Sequence, residues 1–387
     1  MAVKNICVIF SVLVSISAHK LEQVLILSRH NIRAPLSSNL EKFSQHPWPQ
    51  WKQSSFLTEK GGKLERYMGE YIYEWLKDER LLPQGCPDNQ VYIYANTRQR
   101  TRESAVAFTK AFACNVTVHS INSTDIDPIF NPIIRNNSKI SKAAIIKEMQ
   151  HQLDELDLEE SYKLLEDILD LENSIACKNE GICSFLVKDK ILYEVGEEPN
   201  VIGPLAYANS IVDSFLMSYY EGFAEENVAW GRIKNVENWK LLTKITKENQ
   251  NVRFNSTILA KELAKPLLSY ILNIFENATH KFTLLHGHDS NLNTVMAAIG
   301  FKSYVLPDQY ETTPLGGKLV FQKRSHGDTH LFQAHFVYPT TQQLREGAKM
   351  SKKNPPKWVE LDVGCVKDKN GFCLWDDFMK IMRSINQ

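Results

Sequence analysis

The sequence has no excess of charge of either sign and, beyond its first eighteen residues, no hydrophobic run long enough to cross a membrane. Lys and Arg total 45, as do Asp and Glu, so the formal net charge of the 387 residues is zero. This balance gives no reason to expect a nucleic-acid or membrane-surface partner, and a spanning helix needs about 20 apolar residues. We expect no membrane partner, and the length supports one large domain or two coupled ones.

The first 18 residues are typical of a signal peptide. Lys4 supplies the positive charge at the start, residues 6–16 form an apolar run, and Ser17-Ala18 is a small-residue cleavage site. The run is too short for a membrane anchor. We therefore expect a soluble mature protein that is secreted, or periplasmic if the source is bacterial.

Paired Cys-x-x-Cys spacing is absent, which disfavours a zinc site. Cys7 falls in the predicted signal peptide, and an even number of cysteines in an exported chain predicts disulfides. The six that remain are Cys86, Cys114, Cys177, Cys183, Cys365 and Cys373. Short separations favour Cys177–Cys183 and Cys365–Cys373, which leaves Cys86–Cys114, but spacing alone does not choose among the alternatives.

Asn-x-Ser/Thr sequons, each a weak signal alone, predict a glycosylated surface when they accompany a signal peptide in a eukaryotic chain. They stand at Asn115, Asn122, Asn136, Asn255 and Asn277.

Short β-branched and apolar runs near both ends of the mature chain predict an α/β fold with buried strands. These runs cover residues 24–27, 91–94, 282–285, 318–321 and 331–337. The sequence has no internal repeat and no low-complexity tract.

The middle of the chain has helical periodicity instead. Apolar residues recur at helical spacing over 140–171, 205–223 and 256–278, and Pro266 should kink or split the last helix. We predict an α/β core formed by residues 19–125 and 250–387, interrupted by a mainly α-helical insert over 126–249. These boundaries are approximate.

Three of the predicted strands run directly into polar turns. The turns cover residues 28–35, 95–101 and 286–291, and each of the last two is followed by a predicted helix. Ligands of open α/β sheets bind beyond the carboxyl ends of the strands. If the three strands are neighbours, one pocket collects Arg29, His30, Arg33, Arg100, His288 and Asp289.

Such a pocket suits a phosphate group. Guanidinium forks and helix N-termini bind phosphate oxygens and stabilise the charge of a phosphoryl transition state. His30 could attack phosphorus to form a covalent phosphohistidine, and Asp289 is the nearest acid for the leaving oxygen. An acid that is protonated in the free enzyme predicts an acidic pH optimum.

Each of these residues has a simpler interpretation when taken alone. An isolated arginine is usually an ion-pair partner, an isolated histidine a half-buried hydrogen-bonding residue, and Asp289 an N-cap. His286 and His288 without a third ligand are weak support for a metal site. The combination of Arg-His-x-x-Arg-x-Pro with a distant His-Asp pair favours catalysis.

Residues 29–35 and the His288-Asp289 pair resemble the two signatures of the histidine acid phosphatase family. The form with Asn31, where many members have Gly, is similar to the periplasmic glucose-1-phosphatase branch. The likeness covers nearly all of the mature chain, including Pro47-Trp48-Pro49 with Trp51 and the stretches 58–62, 94–96, 219–223, 228–231, 287–291, 313–318 and 371–373.

The resemblance implies a phosphoglycerate-mutase-like mixed sheet flanked by helices, with a smaller α-helical cap. It implies that His30 is the nucleophile, that Asp289 is the proton donor and that Glu221 faces a sugar phosphate. The phosphate holders would be Arg29, Arg33, Arg100 and His288. It implies no metal or organic cofactor, and it supports the three disulfide pairings above. A homodimer stays open as an alternative to a monomer.

Two arginines depart from the branch pattern, because Arg98 and Arg102 add positive charge around Arg100. They either widen the range of anionic substrates or point to solvent. The expected partner is a small phosphorylated substrate, with phytate as a narrower alternative. A binding protein on an inactive scaffold and a phosphomutase are the competing functions. The intact set of His30, Arg33, Arg100 and Asp289 favours retained hydrolysis.

Overall fold

A computed structural model describes residues 19–37, 39–122, 126–135 and 138–386. The predicted signal peptide and the sequon at Asn136 lie outside the described residues. Over these ranges the chain forms an eight-stranded mixed sheet and a separate two-stranded ribbon. The strands of the large sheet are β1 Lys20–Arg29, β2 Val91–Ala95, β3 Val118–His119, β6 Phe282–Gly287, β7 Lys318–His326, β8 Thr329–Tyr338, β9 Lys357–Leu361 and β10 Cys373–Leu374. In the ribbon, β4 Lys190–Leu192 pairs with β5 Asn200–Ile202.

The order of the strands places the three predicted turns side by side. The sheet runs β10-β8-β7-β1-β6-β2-β3, with β9 also paired to β8. Strands β1, β6, β2 and β3 are parallel, whereas β7 runs antiparallel to β1 and begins an antiparallel half of the sheet. All five strands predicted from the sequence are present.

Helices cover both faces of the sheet. Because both faces are buried, the strands are apolar at nearly every position instead of at every second one. Val24 and Ile26 on β1 pack in the cluster that contains α1 and α2 residues, whereas Leu25 and Leu27 pack toward α8, α9 and α11. The helices are α1 Glu59–Asp78, α2 Gln99–Thr109, α3 Lys139–Asp154, α4 Glu159–Leu169, α5 Ile175–Glu180, α6 Pro204–Glu221, α7 Val236–Phe254, α8 Thr257–Asn277, α9 Asp289–Ile299, α10 Thr341–Glu346 and α11 Trp375–Asn386.

The structure adds two details to the helical prediction. The periodic stretch 140–171 is two helices, α3 and α4, because the chain leaves the helical path after Asp154 and resumes at Glu159. Helix α8 is not split by Pro266 but continues through it. Its buried residues on both sides of the proline pack together with α9, and this burial offsets the one hydrogen bond that proline cannot make.

Helices α3 to α7 all lie between β3 and α8 in the chain, within or close to the predicted insert. The assignment of residues 126–249 to a separate cap domain stays a prediction. The structure joins Cys86 to Cys114, Cys177 to Cys183 and Cys365 to Cys373, the pairing that the family resemblance implies. Among the described helices, none combines the length and the apolar character that a membrane crossing requires.

Two adjacent glycines at the start of α1 test how tightly this helix packs against the polar turn that follows β1, residues 28–35. A Cβ atom on Gly61 would lie 2.2 Å from the backbone oxygen of Ile32, whereas one on Gly62 would have its nearest contact at 3.8 Å, with Leu57. We expect Gly61→Ala to lower the free energy of unfolding by about 3 kcal/mol, because backbone must move. Gly62→Ala should raise it by up to about 1 kcal/mol, because alanine favours a helix. Urea titration of both variants measures the difference, and equal effects would contradict this packing.

Candidate active site

The register of three parallel strands brings the polar turns together at one edge of the sheet. Arg29 at the end of β1 pairs with Gly287 of β6, and Ala95 at the end of β2 pairs with His286. The first turn stays attached to the sheet, since the His30 N–H donates to the Gly287 carbonyl at 3.0 Å. The carboxyl ends of β1, β6 and β2 therefore deliver the predicted residues to one place.

The ring of His30 is fixed in one tautomer by its own turn. Its Nδ1–H donates to the backbone carbonyl of Asn31 at 2.8 Å, and a carbonyl can only accept. The lone pair of the neutral ring is therefore on Nε2. Burial, followed by the charges of Arg100, His288 and Arg33, lowers the pKa of His30 well below its usual range. The lowered pKa favours the neutral imidazole, with its lone pair on Nε2.

Arg29 lies between two carboxylates and a carbonyl. Its Nη2 is 3.1 Å from Oδ2 of Asp289, and its Nη1 donates to Glu311 at 2.7 Å and to the Thr313 carbonyl at 2.6 Å. Burial acts to raise the pKa of Asp289, but Arg29 and neighbouring cations outweigh it and lower the pKa. Arg29 thus favours the carboxylate form of Asp289 in the free site, whereas the acid role expected from the sequence calls for the protonated form.

The other two arginines differ in how they are neutralised. Arg33 makes a bidentate pair with Asp213 of α6, both hydrogen bonds being 2.9 Å long. Among the described residues no carboxylate lies within ion-pair distance of Arg100, and burial with the charge of Arg33 lowers its pKa to about 10. The Nε atoms of Arg29, Arg33 and Arg100 are buried and, within the described part of the chain, donate to no protein acceptor. Such donors are suited to an anion with several oxygens.

His288 completes the cluster from the third turn. Its Nε2–H donates to the side-chain oxygen of Asn96 at 3.0 Å, and its ring meets that of His30 edge-on with centroids 5.5 Å apart. Burial and the charge of Arg100 lower the pKa of His288. His286, by contrast, points into the protein toward Glu65 and takes no part in the cavity.

A buried carboxylate behind the cluster holds the first turn in place. Glu65 of α1 accepts from Lys318 at 2.6 Å, from the Asn31 amide at 3.0 Å and from His286 at 3.3 Å. Glu65, His286 and Lys318 are each 0% exposed. Burial alone would raise the pKa of Glu65, yet Lys318 and the hydrogen bonds lower it to about 2. The residue whose carbonyl orients His30 is thereby anchored to a buried ion pair.

The cavity bounded by these groups has a volume of about 270 Å³ and includes all the predicted catalytic and phosphate-holding residues. Arg98 also lines it, while Arg102 lies beside an adjoining cavity. Glu221 is not brought here: it ends α6, where its carboxylate faces Thr58 and Lys60, and burial raises its pKa. Glu221 therefore does not line the cavity in which we place the substrate.

Several lining residues were not identified from the sequence. They are Asp213, Glu198, Gln250, Arg253 and Glu311. Asn96, which accepts a hydrogen bond from His288, was not assigned a role either. Glu311 precedes the stretch 313–318 that already carried the family resemblance, and Asn96 lies in the second turn, so both had a local signal. Asp213, within α6, and Glu198, between β4 and β5, had none, because single acids in helices and turns are common on protein surfaces.

Comparison with known proteins shows which family and which solved structures this chain resembles. A sequence profile described as the histidine phosphatase superfamily (branch 2) matches residues 20–159. Two proteins named glucose-1-phosphatase are each 41% identical: that of Providencia rettgeri over 94% of this chain and 91% of its own length, and that of Salmonella typhimurium over 95% and 92%. The solved phytase of Citrobacter braakii superposes with a TM-score of 0.87 at 28% identity, covering 96% of this chain and 98% of its own.

The Glu65–Lys318 pair predicts a specific loss of stability in acid. Because the pKa of Glu65 is lowered from 4.5 to about 2, its contribution is complete above pH 4.5 and is lost as the pH falls toward 2. This one group accounts for about 3 kcal/mol of the unfolding free energy. Glu65→Gln should be less stable at pH 6 by about that amount, and the difference should shrink toward pH 2.

Urea titration over this pH range measures both effects. Glu276→Gln is the control, since Glu276 pairs with Arg383 at the surface and such pairs contribute about 1 kcal/mol or less. A Glu65→Gln difference that stays constant with pH would contradict the lowered pKa.

Proposed function

The chain belongs to the histidine phosphatase superfamily (branch 2) and is a hydrolase of phosphomonoesters, and on that premise we propose that His30 is its nucleophile and Asp289 its proton donor. The observation that carries this proposal is the fixed tautomer of His30, which presents a neutral Nε2 within a ring of arginines. A nucleophile that stays unprotonated in acid is what an acid phosphatase requires.

In the first step the phosphate of the substrate lies among Arg29, Arg33 and Arg100, and His30 Nε2 attacks phosphorus. The N–P bond forms, the bond from phosphorus to the ester oxygen breaks, and the leaving oxygen takes a proton from Asp289. In the second step water attacks the phosphohistidine, its proton passes to the Asp289 carboxylate, and His30 and inorganic phosphate are released. The arginines stabilise the charge on the phosphoryl oxygens in both steps.

The lowered pKa of Asp289 in the free site means that its proton arrives with the substrate. A bound phosphate competes for Arg29 and brings negative charge next to the carboxylate, and both effects raise the pKa of Asp289. Phosphomonoesters bind one proton below a second pKa of about 6. The monoanion, which predominates in acid, thus supplies the proton that Asp289 later delivers, and this accounts for an acidic optimum.

We propose a sugar phosphate such as glucose 1-phosphate as the substrate. The two relatives at 41% identity are named for that compound, and the small cavity places the polar side chains of Glu198, Asn209 and Ser210 beside the phosphate cluster. Such groups can bind sugar hydroxyls. The binding-protein alternative is not favoured, because the complete catalytic set converges on one cavity. No metal or organic cofactor and no nucleic-acid partner is part of this proposal.

We further propose that the protein is exported after removal of residues 1–18 and that it carries N-linked glycans. Three disulfides fit an oxidising compartment. Asn115, Asn122 and Asn277 are exposed, whereas Asn255 is half-buried at the end of α7. The exposed sequons are therefore the better acceptors. A homodimer remains a prediction.

Replacing the nucleophile should abolish turnover. We expect His30→Ala to lower kcat for glucose 1-phosphate and for p-nitrophenyl phosphate by about four orders of magnitude or more, because no phosphohistidine can form. Steady-state assays at acid pH measure this. His330→Ala is the control, since His330 lies at the surface beside Glu22. Activity of His30→Ala within a hundredfold of the parent would refute the assignment.

Replacing the proton donor should depend on the leaving group. Asp289→Asn cannot protonate an alkoxide, so hydrolysis of 2-glycerophosphate should slow by about 100- to 10,000-fold. Hydrolysis of p-nitrophenyl phosphate, whose leaving group needs no proton, should slow much less. The exposed Asp376 provides the control variant Asp376→Asn. Equal slowing of the two substrates would count against Asp289 as the acid.

A further inference from the structure

A second cationic cavity adjoins the catalytic one. It is lined by Leu36, Ser55, Phe56, Thr97, Arg98, Gln99, Arg100 and Arg102, and its volume is about 470 Å³. Leu36, Arg98 and Arg100 line both cavities. These three residues therefore form the boundary between the proposed site of the reacting phosphate and the second cavity.

The arginines around this second cavity are not neutralised by protein acids. Within the described part of the chain, no carboxylate lies within ion-pair distance of Arg98, Arg100 or Arg102, although Arg29, Arg33 and Arg253 all have such partners. The Nε atoms of Arg100 and Arg102 are buried and have no hydrogen-bond acceptor among the described residues. The cluster therefore has unused donors as well as unbalanced charge.

The position of these arginines is costly to the ligand-free protein. Arg98 is the N-cap of α2, and Arg100 and Arg102 lie in or next to its first turn. The N-terminus of a helix favours negative charge, so three cations there oppose the helix dipole. An anion bound among them removes this penalty.

We propose that Arg98 and Arg102, together with the shared Arg100, form a second anion subsite that holds the non-reacting phosphate of a doubly phosphorylated substrate, such as a sugar bisphosphate. The inference rests on the proposed function, because the first phosphate must lie against His30. The exposed side chains of Leu36 and Phe56, 51% and 40% exposed, offer an apolar surface to the carbon skeleton that joins the two phosphates.

Equilibrium binding to the His30→Ala protein tests the subsite without turnover. Glucose 1,6-bisphosphate should bind roughly tenfold more tightly than glucose 1-phosphate, about the effect of one charge-assisted hydrogen bond at a partly exposed site. Adding Arg102→Gln, at a residue that lines the second cavity alone, should reduce that preference to about threefold or less and leave the Kd of glucose 1-phosphate nearly unchanged. Lys353→Gln removes a charge from an exposed site elsewhere and should keep the preference.

The same variants with His30 intact give a second readout. The KM for the bisphosphate should rise about threefold or more in the Arg102→Gln protein, while kcat and the KM for glucose 1-phosphate stay within about twofold. Equal affinity for the two compounds in the parent, or a preference that survives Arg102→Gln undiminished, would overturn the subsite. Hydrolysis of glucose 1-phosphate by the parent tests the proposed function separately, so the two failures can be told apart.

Discussion

The carboxylate of Glu65 ties together three segments that are far apart in the chain. It binds the amide of Asn31 in the first turn, His286 on β6 and Lys318 on β7, all from a helix that packs under the sheet. A carboxylate with no access to water must be fully paired, so its three partners are held in one relative position. The Asn31 carbonyl that orients the His30 ring is part of that arrangement. The chemistry at the sheet edge thus depends on an ion pair that no substrate contacts.

The electrostatics of the catalytic cluster follow from unequal neutralisation. Arg29 and Arg33 are paired with carboxylates, whereas Arg100 has no such partner among the described residues. The cluster therefore lowers the pKa of both His30 and Asp289. In the mechanism that we propose, a bound phosphate competes for Arg29 and raises the pKa of Asp289. Acid catalysis would then be coupled to substrate binding.

Much of this architecture could be predicted from the sequence, since buried parallel strands and the polar turns that follow them have strong local signals. The convergence of the turns depended on the assumption that the three strands are neighbours, and the pairing of β6 with both β1 and β2 confirms that assumption. The partners that tune the site could not be predicted. Asp213 and Glu65 carry no motif, and only tertiary packing decides which face of a helix meets Arg33 or Asn31. The placement of Glu221 against Thr58 and Lys60 is the same kind of tertiary outcome.

The bidentate pair between Arg33 and Asp213 has an evolutionary consequence. Arg33 belongs to the first turn, but the acid that orients it lies on α6, 180 residues later. Exchange of the helical segment between relatives, by recombination or by engineering, would transfer the orientation of a phosphate ligand along with the sugar-facing surface. Selection for a new substrate therefore acts on α6 under a constraint: its cavity-facing residues can diversify only while an acid is retained at this register.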